Sequence, residues 1–404
     1  MKMTARGPLH GIKVIELAHV MAGPTCGRML ADMGADVIKV ERIPGGDDTR
    51  RDTIASEAAD GDSFAFIMMN RNKRGLALNL KTEGGKGVLR RLLTTADVLL
   101  ENYRHDTMAK LGLGYEQLHE EFPRLIYCAV SGFGRTGPYA ARGGFDLIAQ
   151  GMSGLMSFTG EGEGRPAVKV GAPVTDITAG ILAAMGISAA LHAREKTGRG
   201  QMVDTSLFEA GITFSYWHSA ICFATGTSPG ALGSRHPLNA PYQSYKTADG
   251  WINIGGANQS NWQRLLGVLG AKELGEDPRF SDNSARMANV DALDEALSQY
   301  FARRSSAEWL AALDEAGVPA GPILSVAEMH RDEQAIARDM VTSCEHTRRG
   351  KVGTIGFPVK FSETPAGIHR GAPTFGEHSR EILLEHGFSE SEVEDLAKGG
   401  AVNL

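Results

Sequence analysis

A chain of 404 residues is long enough for two domains with sizeable cores. Its 42% hydrophobic and 22% charged residues exclude disordered and fibrous classes, and a net charge of −6 without a long basic block excludes a nucleic-acid surface, so an anionic ligand must be held by local basic groups. Cys26, Cys128, Cys222 and Cys344 are scattered, with no CxxC pair and no histidine cluster at ligand spacing, which reads as reduced, buried thiols and no metal site.

Residues 12–18, IKVIELA, read as a strand, His19 to Pro24 as the loop that ends it, and Pro24 to Met33 as a helix closed by Gly34 before a second strand, ADVIKVE. The alternation continues with a helix over 82–95, a strand over 97–101, a helix over 115–121 and a strand over 125–130. It predicts a parallel, doubly wound α/β sheet, which binds ligands at the carboxyl ends of its strands. No signal-type apolar core precedes Ile12, and the apolar stretch from Gly180 to Ala193 reads as too short to span a bilayer, so a cytoplasmic protein with no membrane partner is expected.

Ser215 to Pro241, rich in Gly, Ser, Pro and aromatics, reads as a crossing linker. YQSYKTADGWINIG then predicts a hairpin turning at Asp249 and Gly250, followed by helices near 260–270, 290–303 and 306–316, a smaller α+β domain. The tail from Gly356, with FPVKFSETP as a strand and HSREILLEHG as a helix, is expected to return to the first domain. The boundaries are 1–214 with 330–404 for the large domain and 215–329 for the linker and small domain.

Several stretches carry candidate chemistry. GFGRTG at 132–137 satisfies the spacing of a dinucleotide loop, but Pro138, Gly143 and Gly144 break the helix that would have to open there. Arg71, Lys73, Arg74, Lys81, Arg104 and Lys110 either converge on phosphates, with Asn102 and Tyr103 beside a nucleotide, or are solvated surface charges. His19 sits at the binding edge as a satisfied loop histidine or a catalytic one. Gly255 and Gly256 form a mobile flap or end a strand. Asp176, in VTDITAG, is either a helix N-cap or a nucleophile kept ionised by the helix dipole.

Taken in order, HVMAGP, GADVIKVER, NRNKRGLALNLK, ENYR, SGFGRTGPYAARGGFDLIAQGMSG, VTDITAG and KTGRGQ resemble the family III CoA-transferases, which include formyl-CoA transferase and carnitine CoA-transferase and are related to alpha-methylacyl-CoA racemase. APYQSYKTADGWINI, EWLAALDEAGVPAGPI and the FPVKFSETP tail extend the resemblance over almost the whole chain. It implies a Rossmann-like large domain built from both ends of the chain, a smaller middle domain and an interlocked, ring-like homodimer. It implies an acyl-CoA:carboxylate CoA-transferase with acyl-CoA and a small carboxylic acid as substrates and no permanently bound cofactor. Asp176 falls on the aspartate that forms an acyl anhydride and then a CoA thioester. Met21 and Ala22 match the loop beneath the thioester; Arg42, Leu78, Asn79, Leu80, Lys81, Asn102, Tyr103, Arg104 and Lys110 match positions around the nucleotide and diphosphate. Arg71, Lys73 and Arg74 become structural on this reading.

Two departures from the family pattern narrow the chemistry. Met21 stands where formyl-CoA transferase would have Gln and cannot donate that hydrogen bond, which disfavours formyl-CoA and oxalate. Phe145 stands where the racemases have a proton-exchanging His, which disfavours the alternative of a 2-methylacyl-CoA racemase or epimerase. Asp146 is left as an active-site carboxyl or support residue. Phe145, Asp146, Gly255 and Gly256 are the expected substrate pocket. The remaining alternative is a catalytically silent CoA-binding protein in which Asp176 is only a cap.

Overall fold

The computed structural model describes residues 7–51, 62–162 and 164–404. They form two units, one of Ser153 and the residues before it with Val170–Phe214 and Glu333–Leu404, the other of Gly154–Lys169 and Ser215–Asp332.

Among the described residues the first unit carries a seven-stranded sheet. Its strands are β1 (Lys13–Glu16), β2 (Asp36–Arg42), β3 (Lys73–Leu78), β4 (Val98–Glu101), β5 (Ile126–Ser131) and β6 (Met202–Ser206), all parallel in the spatial order 3-2-1-4-5-6, with a short C-terminal strand, Val402–Asn403, antiparallel to β3. The architecture is the expected α/β type with a parallel-dominated sheet. Because side chains alternate along a strand, Val14, Val37 and Cys128 pack into one core while Ile15, Ile38 and Tyr127 pack into another, one on each face.

The helices of this unit are α1 (Ala22–Asp32), α2 (Phe64–Asn70), α3 (Glu83–Leu93), α4 (Thr107–Lys110), α5 (Tyr115–Glu121), α6 (Asp146–Met152) and α7 (Val174–Thr197), followed by shorter ones. At 24 residues, α7 extends the apolar stretch of 180–193 at both ends and is by length and composition able to cross a membrane, which corrects the expectation that it is too short. It packs on α1, β5 and β6 and buries Ala179, Ala183, Ile187 and Leu191 in the core of one sheet face, as a core helix does.

In the tail, FPVKFSETP is not a strand; the pairing strands are Val341–His346 and Gly350–Ile355, an antiparallel hairpin whose polar sequence hid its period. The helix in HSREILLEHG is present over Ser379–Glu385.

The second unit has a three-stranded antiparallel sheet of Tyr242–Lys246, Trp251–Gly255 and Ala320–Pro322. Helices Gln259–Leu269, Val290–Phe301 and Ser306–Glu315 cover a core that includes Trp262, Phe280, Phe301 and Trp309. The stretch read as a linker contains a helix, Tyr216–Thr225, that buries none of its residues. Cys26, Cys128 and Cys344 are buried free thiols, whereas Cys222 on this helix is only half-buried.

Candidate active site

β1 and β4 are parallel neighbours although β2 and β3 intervene in the chain, so the winding reverses between them and the connections that follow them lead to opposite sides of the sheet. Asn102, after β4, ties the two loops together: its side chain accepts the His19 N–H at 2.9 Å and donates to the His19 carbonyl at 2.8 Å. His19 Nε2 shares a 3.3 Å hydrogen bond with the Tyr103 hydroxyl. Burial first and the Lys39 charge second lower the His19 pKa, which keeps its ring neutral.

The next residue, Val20, has φ = 65°, a left-handed conformation that is costly for a β-branched side chain. Asp47 holds it there, both carboxylate oxygens accepting the Val20 N–H at 3.2 Å. Asp47 is in turn gripped by buried Lys39 at 2.9 Å, which also donates to the Ala18 carbonyl at 2.9 Å. Burial alone would raise the Asp47 carboxyl, but the Lys39 charge and hydrogen bond override it and hold it well below the usual range. This clamp presents Met21 and Ala22 where α1 begins.

Asp176 arrives from the other side, in the first turn of α7. Gly180 lets α7 approach α1: a Cβ there would lie 2.6 Å from the Ala22 carbonyl oxygen and 2.7 Å from Thr25 Cβ. One turn upstream, Asp176 borders a cavity of about 330 Å³ that Met21, Ala22, Tyr103, Arg104, Arg142 and Phe145 also line. Phe145 is 78% exposed.

Asp176 is not the cap of its helix. Helix α7 starts at Val174 and has no side-chain capping bond from the preceding Pro173. Asp146 instead stabilises the first turn from α6: its Oδ1 accepts the Thr175 N–H at 3.0 Å and the Thr175 hydroxyl at 2.8 Å, and its Oδ2 accepts from Gln150 at 2.7 Å. The Asp176 carboxyl is left without a hydrogen-bond partner among the described residues. Burial, and after it the charge of Asp146, push it up from 3.8 to about 7. Desolvation and like-charge repulsion thus oppose the ionisation that the helix dipole favours.

GFGRTG serves close approach, not a dinucleotide. The chain beyond β5 runs in bends until α6 opens at Asp146, and a Cβ on Gly132 would sit 2.7 Å from Gly144 Cα. That backbone contact brings Phe145 and Asp146 to the carboxyl end of β5.

A second cavity of about 730 Å³, lined by Arg42, Leu78, Asn79, Leu80, Lys81 and Lys110 among others, opens at the ends of β2 and β3. Tyr103 and Arg104 border both cavities. Arg42 pairs with Asp48 and Lys110 with Asp106, whereas the Lys81 ammonium and Arg104 guanidinium have no ion partner among the described residues. Those two charges are free to meet an anion.

Arg71, Lys73 and Arg74 lie elsewhere. Arg71 pairs with Asp32 at 2.6 Å, Lys73 with Glu16 at 2.8 Å and Arg74 with Asp36 at 2.7 Å, all three cations buried. The reading of them as solvated surface charges is corrected. Gly255 and Gly256 belong to the second unit, at the end of its Trp251–Gly255 strand. No group of three or more His, Cys, Asp or Glu side chains suited to a metal ion occurs among the described residues.

Sequence reasoning passed over Lys39, Asp47 and Arg142. A lysine inside the apolar strand ADVIKVE was the available signal for the clamp, and the RGGFD context was the signal for Arg142.

The model of CoA-transferase family III matches residues 9–379. A succinate–glutarate CoA-transferase of Agrobacterium fabrum is 41% identical over 94% of this chain and 95% of its own length. An acetyl-CoA:oxalate CoA-transferase of Acetobacter aceti is 40% identical over 96% of this chain and 97% of its own. Among solved structures, a CAIB/BAIF family protein from Brucella suis superposes with a TM-score of 0.84 at 39% identity, over 94% of this chain and 100% of that one.

Proposed function

This chain belongs to CoA-transferase family III, and from that premise we propose that it moves CoA between carboxylic acids with Asp176 as the covalent nucleophile. One observation carries the assignment: among the described residues, a half-buried carboxyl without a hydrogen-bond partner stands at a cavity that adjoins a cleft with two unpaired cations. The larger cleft takes the nucleotide and diphosphate of CoA on Lys81 and Arg104, with Asn79, Leu78 and Tyr103 beside the base. The smaller one takes the thioester beneath Met21 and Ala22.

In the first step an Asp176 oxygen attacks the thioester carbonyl, the C–S bond breaks and CoA leaves as thiolate, giving an acyl-aspartyl anhydride. The thiolate then attacks the aspartyl carbonyl, releasing the first acid and leaving CoA on Asp176. An acceptor carboxylate attacks that thioester, and the thiolate finally attacks the new acyl carbonyl, regenerating free Asp176. Deprotonation of Asp176 is the entry condition, and holding reactants in the cavity converts a weak nucleophile's reaction into an effectively intramolecular one. Racemisation is not supported, because Phe145 has no proton to exchange.

The named relatives handle succinate, glutarate and oxalate at nearly equal identity, so overall similarity does not choose the acid. Met21 and Phe145 give the cavity an apolar wall that favours a longer acid over oxalate. Specificity constants across a panel of acids test this, and efficient oxalate use overturns it. A homodimer is part of the reading: helix Tyr216–Thr225 leaves Tyr216, Trp217 and Phe223 at 75%, 59% and 90% exposed, apolar area suited to a second copy.

The nucleophile is tested by quenching the protein and short acyl-CoAs with hydroxylamine and mapping peptides by mass. A hydroxamate at Asp176 that is absent from Asp176→Ala is the expected result; no adduct despite demonstrated acyl-CoA binding refutes the covalent route.

A further inference from the structure

We propose that Arg142 binds the far carboxylate of a dicarboxylate substrate whose other carboxyl reacts at Asp176. The inference rests on the CoA-transfer reading and adds the substrate class and the residue that selects it.

Several arginines of the same unit are already paired. Arg50 is bound to Glu41 at 2.6 Å, Arg71 to Asp32 at 2.6 Å, and Arg135 to Glu101. Arg142 differs: its guanidinium makes no ion pair among the described residues. It lies instead over the rings of Tyr139, at 4.6 Å, and Phe133, at 5.4 Å. Those rings pack on others, Phe133 meeting Tyr139 edge-on at 5.7 Å and Phe208 at a tilt at 5.8 Å. Stacking orients the planar guanidinium without using its N–H donors, so the fork remains available for a bidentate contact with carboxylate.

Position gives that fork a purpose. Arg142 and Asp176 line the same cavity of about 330 Å³, and Gly143, with nothing within 4 Å of where a Cβ would stand, leaves room beside Arg142. Arg104, another cation on this wall, also borders the larger cleft and is drawn toward the CoA phosphates. Arg142 is exposed, so with a monocarboxylate its charge is met by water alone, whereas a short dicarboxylate would pair with it while its other end meets Asp176.

The test is label exchange between a CoA thioester and its own free acid, run in parallel for succinyl-CoA with labelled succinate and butyryl-CoA with labelled butyrate. The two acyl groups have the same chain length and differ in the terminal charge. In Arg142→Gln, succinyl exchange is expected to fall about 30-fold in kcat/KM while butyryl exchange stays within about threefold. Arg142→Lys, which keeps the charge but not the fork, is expected to recover part of the loss. Affinity for free CoA is measured by calorimetry and is expected to be unchanged. Equal losses for both thioesters, a loss of CoA affinity that accounts for the effect, or no change in the succinyl-to-butyryl ratio would each overturn the proposal. Hydroxylamine trapping at Asp176 is read separately: absence of the adduct in the wild-type protein refutes the nucleophile, while the selectivity ratio still decides Arg142.

Discussion

Asp146 accepts two hydrogen bonds from Thr175 and, one residue further along α7, its charge adds to burial in holding the Asp176 carboxyl up to about 7. The residue that orders the helix start therefore also sets when the neighbouring carboxyl ionises.

The acylation rate is expected to follow ionisation of Asp176, rising with pH through about 7. Asp146→Asn keeps an oxygen for Thr175 but removes the repelling charge, so the midpoint is expected to move to lower pH. It is not expected to reach the ordinary carboxyl value, because burial is the larger cause. A pH profile of kcat/KM for both proteins is the measurement; coincident profiles would show that Asp146 has no electrostatic hold on Asp176.

Stability carries the opposite signature. A carboxyl whose folded pKa is raised keeps a proton that the unfolded chain releases, so stability falls as pH rises from 3.8 to about 7 and stays reduced above that. Asp176→Asn is expected to be inactive and more stable than the parent at pH 8. The shift corresponds to an upper bound of about 4 kcal/mol, which solvent access reduces to about 1–2 kcal/mol. Urea unfolding at pH 8 and near pH 4 is the check, the gain being confined to the higher pH.

Lys81 and Arg104 are expected to act on CoA and not on the acid. Lys81→Ala and Arg104→Ala should each weaken CoA binding about tenfold, the value of one charge-assisted hydrogen bond, with the effect shrinking at high salt. Arg42→Ala should do less, because its charge is already answered by Asp48. Calorimetry with CoA at two ionic strengths separates them.

Gly180→Ala is expected to push α7 away from α1, since its methyl would stand 2.6 Å from the Ala22 carbonyl oxygen and 2.7 Å from Thr25 Cβ. The overpacking should cost about 1–3 kcal/mol. Asp176 rides on the same helix one turn upstream, so kcat should fall more than CoA affinity does. Thermal melts, CoA binding and turnover together distinguish this from simple loss of folded protein.

The alternation of strands and helices, the hairpin at Asp249 and Gly250, and the ordered motifs that mark the CoA-transferase family were legible in the chain, because side-chain periodicity and turn chemistry are local properties. The polar hairpin of Val341–His346 and Gly350–Ile355 was not, since its pairing partners show no apolar alternation. Among the basic residues of 70–81, sequence alone offered two fates for each. Arg71, Lys73 and Arg74 are buried against carboxylates from α1, β1 and β2, while Lys81 has no ion pair among the described residues, and residue type cannot distinguish these outcomes.

By itself, then, the sequence determined the α/β class of the fold, the family and the location of Asp176 at a helix start. Tertiary structure decided the electrostatics: that Asp146 from another helix takes over the capping bonds, that the Asp176 carboxyl is raised to about 7 without a hydrogen-bond partner among the described residues, and that Arg142 lies over two aromatic rings with no ion pair among them. The reason is physical. Periodicity follows from neighbours in the chain, whereas burial and charge proximity follow from neighbours in space, here 30 residues apart in sequence for Asp146 and Asp176.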